Sequence, residues 1–397
     1  MASKIESLQG HLDEALKSFG LLSRASSPDE RAIETSKARI HFISSQLAAE
    51  TADPLRTFTR IGLIPGLTTA VRVAIELGLP TLIDAPMTLE DIAQRTNSDS
   101  VLIRRLMRVM TAFNIFEEVG EQEYTSNRLS QTLNVPPIRD WVKSAFDVHL
   151  PIMQKIPAYL ASTQYQNPQS DSHSLAHNAL GKNFFEYLQE DEDRQVAFDS
   201  SMKMQDLAPT IAVPKYPFDT ELQKSSPEAD GLAALVDIGG GHGQFLETTK
   251  KEFPNLAVEF ILQDTKPATK VLEGKEASFR IMVYNFFTPQ PVVGARWYHL
   301  RRILHDWPDM KCREILENVK PGFKKGYSRV LLNEYVLPEK GCTQEEGLVD
   351  ICVMTLNAME RTKRQWEVLL ESAGFSIVKI WPAQKGSLSI IEADLKD

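Results

Sequence analysis

The chain has 397 residues, too many for one ordinary domain and enough for two with an extra N-terminal element. Hydrophobic residues make up 42% and charged residues 24%, and the formal net charge of −9 argues against nucleic acid as the main partner. No apolar run approaches the length of a membrane span, and the mixed-charge start MASKIESLQGHLDEALKSFG is neither a signal peptide nor an Arg-rich transit peptide. Cys312, Cys342 and Cys352 show no C-x-x-C spacing, so a reduced, cytoplasmic setting with no structural metal is expected.

In chain order, residues 1–60 read as N-terminal helices, with Ile5, Leu8, Leu12 and Leu16 at three- and four-residue steps. An amphipathic helix of that kind needs cover, from its own domain or from a neighbouring subunit. Residues 61–135 read as a compact helical unit. TTAVRVAIELGLPTLI is a helix closed by Gly78 and Pro80, TLEDIAQRT starts with a capping-box-like Thr88, and VLIRRLMRVMTAF follows. IFEEVGEQEYTSN then gives two short strands around Gly120. Three helices and a hairpin are the layout of a winged helix, a fold that often binds DNA. Arg95, Arg104, Arg105 and Arg108 cluster here, and the acidic chain favours reading them as a solvated helix face.

Residues 136–225 read as a helical connecting region rich in aromatic and Met residues, Phe198 and Met202 among them. Most of these belong to a core, and some can line an apolar pocket for a flat substrate. KSSPEADGLA (224–233) is a polar linker. Residues 226–397 alternate short apolar runs with helices: LVDI, VEFIL, FRIMVY, WYHLRRIL (297–304), RVLLNEYVL, FSIVKIW and SLSIIEA. That alternation predicts an α/β fold with a doubly wound, mostly parallel sheet, its last two runs forming an antiparallel edge hairpin.

Three stretches carry chemistry. In VDIGGGHGQF a strand runs into Gly239, Gly240, Gly241 and Gly243, and a helix follows. The dinucleotide fingerprint needs a further glycine where Gln244 and Leu246 stand, so the loop suits a ligand without pyrophosphate, such as S-adenosylmethionine. A buried Asp237 can orient that ligand's amino group. The next strand ends in Asp264, placed to accept hydrogen bonds from ribose hydroxyls. The third ends in YNFF, where Asn285 and Phe286 can reach an adenine, although Asn285 serves equally well as a turn residue. In LRRILHDWPD, His305 follows the fourth run at the carboxyl end of the sheet. A neutral imidazole there can take a proton from a phenol if a carboxylate fixes its tautomer, and Glu334 and Glu360 are the candidates.

DIGGGHG, ILQD, NFFTP, LRRILHDWPD, NEYVLP and ERTKRQWEVLLESAGF together resemble the S-adenosylmethionine-dependent O-methyltransferases of the plant caffeic-acid type, in the branch found in fungal secondary-metabolite pathways. The resemblance spans roughly residues 65 to 393, and HDWPD with ERT-x₃-W is its most specific part. It implies a Rossmann-like methyltransferase sheet and an N-terminal winged-helix domain that dimerises, hence a homodimer that binds neither nucleic acid nor membrane. It places His305 on the catalytic base, Glu334 and Glu360 on its flanking acids, and Gly239, Gly241, Asp264 and Arg301 on cofactor positions. The implied acceptor is a small aromatic or polyketide-like hydroxyl compound, in a pocket expected to draw on Phe198, Met202, Met354 and Asn357. Asn285 stands where the family has Asp, and Met359 where it often has Gly. Two rivals remain: a relative that keeps the cofactor but runs a pericyclic, dehydration or decarboxylation reaction, and a cofactor-sensing winged-helix regulator with salt-sensitive DNA affinity.

Overall fold

A computed structural model of the chain describes residues 2–25, 29–168, 174–207, 216–224, 232–270, 272, 274, 277–382 and 388–396. Most of the expected linker at 224–233 therefore lies outside the described residues. Contacts divide the chain into two units, one of Met1–Val148 with Asp191–Thr210, the other of His149–Glu190 with Ile211–Asp397. The stretch 136–225 is thus shared between them.

In the first unit, α1 (Ala2–Ser23) and α2 (Glu30–Thr51) pair as an antiparallel hairpin. Leu8, Ala15 and Ile43 are buried between them. Asp53 caps α3 (Pro54–Glu76) by accepting a hydrogen bond from Arg56 N–H at 2.8 Å, with Pro54 at the first helical position. The helix therefore runs unbroken through residue 60. By length and composition α3 could cross a membrane, which corrects the expectation that no run approaches that size. Helices Leu89–Arg95 and Ser100–Ala112 follow, with the three-stranded sheet β1 (Met87–Thr88), β2 (Phe116–Gly120) and β3 (Glu123–Ser126) in the order β1-β3-β2. Ile103, Leu106, Met107 and Met110, at helical spacing, face a core with Ile92, Phe116 and Tyr124. Arg95, Arg104, Arg105 and Arg108 are exposed.

The second unit holds a seven-stranded sheet. Its strands are β4 (Leu232–Ile238), β5 (Glu259–Asp264), β6 (Arg280–Val283), β7 (Ala295–Arg301), β8 (Arg329–Glu334), β11 (Phe375–Trp381) and β12 (Ser389–Leu395). The order is β11-β12-β8-β7-β4-β5-β6. The first five are parallel, and β12 and β11 add an antiparallel edge. Alternation along β4 sends Ala234, Val236 and Ile238 to one core and Leu235 to the other, so both faces are covered. A small parallel pair, β9 (Val336–Leu337) and β10 (Arg361–Thr362), sits just past β8. It sets the segment after Glu334 beside the segment after Glu360.

Trp366 anchors this corner: it is fully buried, and its Nε1 donates to Tyr335 O at 2.9 Å. Trp366→Ala should cost about 3–5 kcal/mol of stability, read as a fall in the denaturant midpoint. A loss below about 1 kcal/mol would show that the corner repacks.

Candidate active site

The chain leaves β4 for β5 and β6 on one side, then crosses to β7 on the other. This switch point opens a crevice at the carboxyl ends of β4 and β7, where ligands bind in sheets of this type. The glycine loop fills one lip. Gly239, Gly241 and Gly243 have φ of 69°, 59° and 81°, a region costly for side-chain-bearing residues. A Cβ on Gly239 would come within 2.5 Å of Ile303 Cδ1, so the loop touches the turn that follows β7. Over Gly241 there is open space. Gly241 N–H donates to Asp264 Oδ2 at 2.8 Å, and Thr265 N–H donates to Asp264 Oδ1 at 2.6 Å. Burial raises the Asp264 pKa, against those two N–H groups.

Asp237 lies deeper. Its Oδ1 is 2.7 Å from His299 Nδ1, and its Oδ2 packs against Gly240 with no hydrogen-bond partner among the described residues. The His299 ring stacks on Phe245 at 3.7 Å, in the first turn of the helix behind the loop. The pair therefore supports the loop from below on two sides.

β7 ends at Arg301, three residues before the apolar run does: Arg302 N–H still donates to Asn333 O at 3.1 Å, but the two amides after it have another partner. Ile303 N–H and Leu304 N–H both donate to Glu334 Oε1 at 3.0 Å. His305 then sits in a 3₁₀ turn, Leu304–Asp306, rather than on the strand itself. Its Nδ1 is 2.8 Å from Glu360 Oε1, and its Nε2 is 3.2 Å from Asp306 Oδ1. Glu360 is placed in turn by its own N–H, which donates to Asp350 Oδ1 at 2.9 Å. The two expected acids thus divide their work: Glu360 holds the ring and Glu334 holds the turn.

Burial alone would depress the His305 pKa, but the charges of Asp306 and Glu360 outweigh it and push it up to about 9. Burial would raise Glu360, yet His305, Arg302 and Arg361 hold its carboxyl below the usual range. Glu334, whose Oε2 has no hydrogen-bond partner among the described residues, is pushed up by burial to about 7.

Of the remaining expected residues, Asn285 acts as a turn residue, its Oδ1 accepting from Phe287 N–H at 3.0 Å. Phe286 lies beside Gly239 and packs edge-on to Trp307 at 6.1 Å. Arg301 is the last residue of β7. Met354 is half-buried in a short turn, and Asn357 is buried, its Oδ1 accepting from Leu175 N–H at 2.9 Å. Phe198 and Met202 belong to the other unit, on the helix Glu192–Ser201 and the turn after it.

Sequence reasoning missed Asp306, Asp350, His299 and Arg361. His299 had a signal, a polar residue inside an apolar strand, and the register places it directly across from Asp237. Arg361 is buried, donates to Leu304 O and Trp307 O at 3.1 Å, and pairs with Asp309 Oδ1 at 2.7 Å.

An acid at the tip of the second strand, open space over Gly241 and the Phe286 ring beside the loop fit the ribose, chain and base of an adenosyl ligand. Residues 164–376 match the O-methyltransferase domain family, and residues 66–136 match the O-methyltransferase dimerisation domain. The O-methyltransferase kntB of Aspergillus niger is 34% identical over 335 residues, covering 82% of this chain and 80% of that protein. Demethylsterigmatocystin 6-O-methyltransferase of Aspergillus flavus is 32% identical, covering 81% of this chain and 84% of its own. Among solved structures, LepI in complex with SAM superposes with a TM-score of 0.85 at 27% identity over 100% of both chains. A chain described as a pericyclic reaction enzyme gives the same values. OxaC in complex with SAH and oxaline gives 0.80 at 26% identity, over 98% of this chain and 99% of that one. The protein belongs to the S-adenosylmethionine-dependent O-methyltransferase family, alongside enzymes of fungal secondary metabolism.

Proposed function

We propose that the enzyme methylates a hydroxyl of a small aromatic or polyketide-like acceptor, with His305 as the general base. The observation that carries this is the His305–Glu360 contact, 2.8 Å long and buried at both ends. Glu360 fixes Nδ1 as the protonated nitrogen, which leaves Nε2 as the proton acceptor. Asp306 is close enough to Nε2 to share the arriving proton, and Glu334 keeps the turn rigid while it moves. Gly239, Gly241, Asp264, Phe286 and Arg301 would hold the cofactor. Asp237, braced by His299, supports the loop and would orient the ligand's amino group. Asn285 contributes through its turn, and Met354 and Asn357 shape the acceptor side. When bound, S-adenosylmethionine supplies an electrophilic methyl on a positively charged sulfur. The chain's contribution is alignment of the acceptor oxygen and removal of its proton. The matched dimerisation domain and the three free cysteines support a homodimer working in the cytoplasm.

The likeness to a pericyclic reaction enzyme favours a second reading, in which the cofactor is bound but its methyl stays in place. Incubation with methyl-labelled cofactor and a panel of phenols separates the two. Transfer predicts one S-adenosylhomocysteine per acceptor consumed, and acceptor turnover without it would overturn the proposal.

His305→Gln should leave cofactor affinity near normal by calorimetry and cut methylation by ~10²-fold or more. Wild-type activity in that variant would remove His305 from the chemistry. A base whose pKa is raised to about 9 is mostly protonated at neutral pH. At subsaturating cofactor, kcat/KM should therefore climb with pH and level off near that value. Glu360→Gln removes a charge that favours the imidazolium, so the inflection should move to lower pH while the maximum falls. An unmoved inflection would mean that another group governs the profile.

A further inference from the structure

His299 interrupts an otherwise apolar and aromatic stretch of β7. Trp297, Tyr298 and Leu300 beside it are buried, and His299 itself is fully buried. Its ring meets two groups. Nδ1 is 2.7 Å from Asp237 Oδ1, and the ring lies 3.7 Å from that of Phe245 at an interplanar angle of 12°. A carboxylate oxygen can only accept, so His299 Nδ1 donates. Phe245 belongs to the helix Gln244–Glu252, which begins where the glycine loop ends. His299 therefore bonds to the strand that enters the loop and stacks on the helix that leaves it.

Over this pair the loop is closely seated. A Cβ on Gly240 would fall 2.3 Å from Asp237 Oδ2 and 2.5 Å from Leu262 Cδ1, so Gly240 rests directly on the carboxylate. The amides of Gly239 and Gly240 donate to Gln263 O, and that of Gly241 donates to Asp264 Oδ2. Rotation of the Asp237 carboxylate would lift Gly240 and disturb the open space over Gly241. Packing alone gives no reason for the pair, because apolar groups of the same shape can replace a buried hydrogen-bonded pair at little cost.

We infer that His299 is a positioning residue for the cofactor: by fixing Asp237 beneath Gly240, it shapes the seat for the amino-acid end of an adenosyl ligand. The ribose and base draw instead on Asp264 and Phe286, from β5 and the segment after β6. The inference rests on the adenosyl reading of the loop and holds whether or not the methyl is transferred.

Calorimetry with two thioethers tests it. S-adenosylhomocysteine carries the amino-acid end, and 5′-methylthioadenosine lacks it. His299→Phe keeps a ring against Phe245 and removes the donor, whereas His299→Asn keeps a donor towards Asp237 and removes the ring. The Phe variant should bind S-adenosylhomocysteine ~10-fold or more weakly than wild type, and 5′-methylthioadenosine within about threefold of wild type. The Asn variant should hold S-adenosylhomocysteine within about threefold of wild type. Equal weakening of both probes in the Phe variant would make His299 merely structural and overturn the inference. Unchanged S-adenosylhomocysteine affinity in that variant, or its loss in the Asn variant, would do the same. If the Phe variant fails to fold, the Asn variant decides by the same measure. Failure of wild type to bind S-adenosylhomocysteine would instead overturn the adenosyl reading of the loop, and this inference with it.

Discussion

The site depends on one carboxylate oxygen. Glu334 Oε1 accepts the N–H groups of both Ile303 and Leu304. After a last bond from Arg302 N–H to Asn333 O the chain leaves the sheet, turning at Arg302 with φ 51°, a conformation that costs a side-chain-bearing residue about 1–2 kcal/mol. Each amide lost from the ladder and left buried would add about 1–3 kcal/mol. The sheet register supplies the remedy, because Arg301 pairs with Asn333 and the next residue on β8 is Glu334. The carbonyls of the turn are served from further away. Arg361 donates to Leu304 O and Trp307 O, and Cys312 Sγ contacts both. With its donors and acceptors filled from strands and helices on three sides, the turn holds one conformation, and His305 inherits that rigidity.

The same packing crowds several acids around one imidazole. Glu360 is held below the ordinary carboxylate range, Glu334 is pushed up to about 7, and His305 is pushed up to about 9. A folded-state pKa raised above its unfolded value stabilises the fold fully below about pH 6.5. That contribution is lost as pH rises through about 9. The buried ring is therefore biased towards its protonated form at neutral pH. Positive charge brought to the carboxyl end of β4 acts in the opposite direction to the acids. A cation held at the glycine loop would thus favour the neutral ring, because the loop touches the turn that carries His305.

Much of this architecture was legible in the sequence, for identifiable reasons. Parallel strands buried on both faces read as apolar runs, and four glycines crowded at a strand end are costly unless a ligand approaches the backbone there. Boundaries were less legible. The run through Leu304 looks like strand because Ile303 and Leu304 are apolar, but what ends β7 is a glutamate some thirty positions away. The start of α3 was hidden by Thr57, Thr59, Gly62 and Pro65, which break the pattern of a buried helix; the buried positions Ala70, Val71 and Ala74 all lie in its second half. The division of labour between Glu334 and Glu360 depends on which atoms they meet, and spacing carries no such information. Asn285 illustrates the reverse case: both of its roles were visible, and the structure gives it the turn.

A comparison within the second unit shows what raises the proton affinity of His305. His149 is also buried, and burial pushes its pKa down to about 4. Its Nδ1 lies 2.8 Å from Thr355 Oγ1, a hydroxyl whose proton goes to Cys352 O at 2.7 Å. Thr355 can therefore only accept, His149 Nδ1 carries the proton, and the ring stays neutral across the physiological range. His305 is equally enclosed yet shifts in the opposite direction. Burial is common to the two, so the difference lies in the carboxylates of Glu360 and Asp306. Those two acids give His305 an affinity for a proton that a histidine enclosed by hydroxyl and aromatic groups does not have.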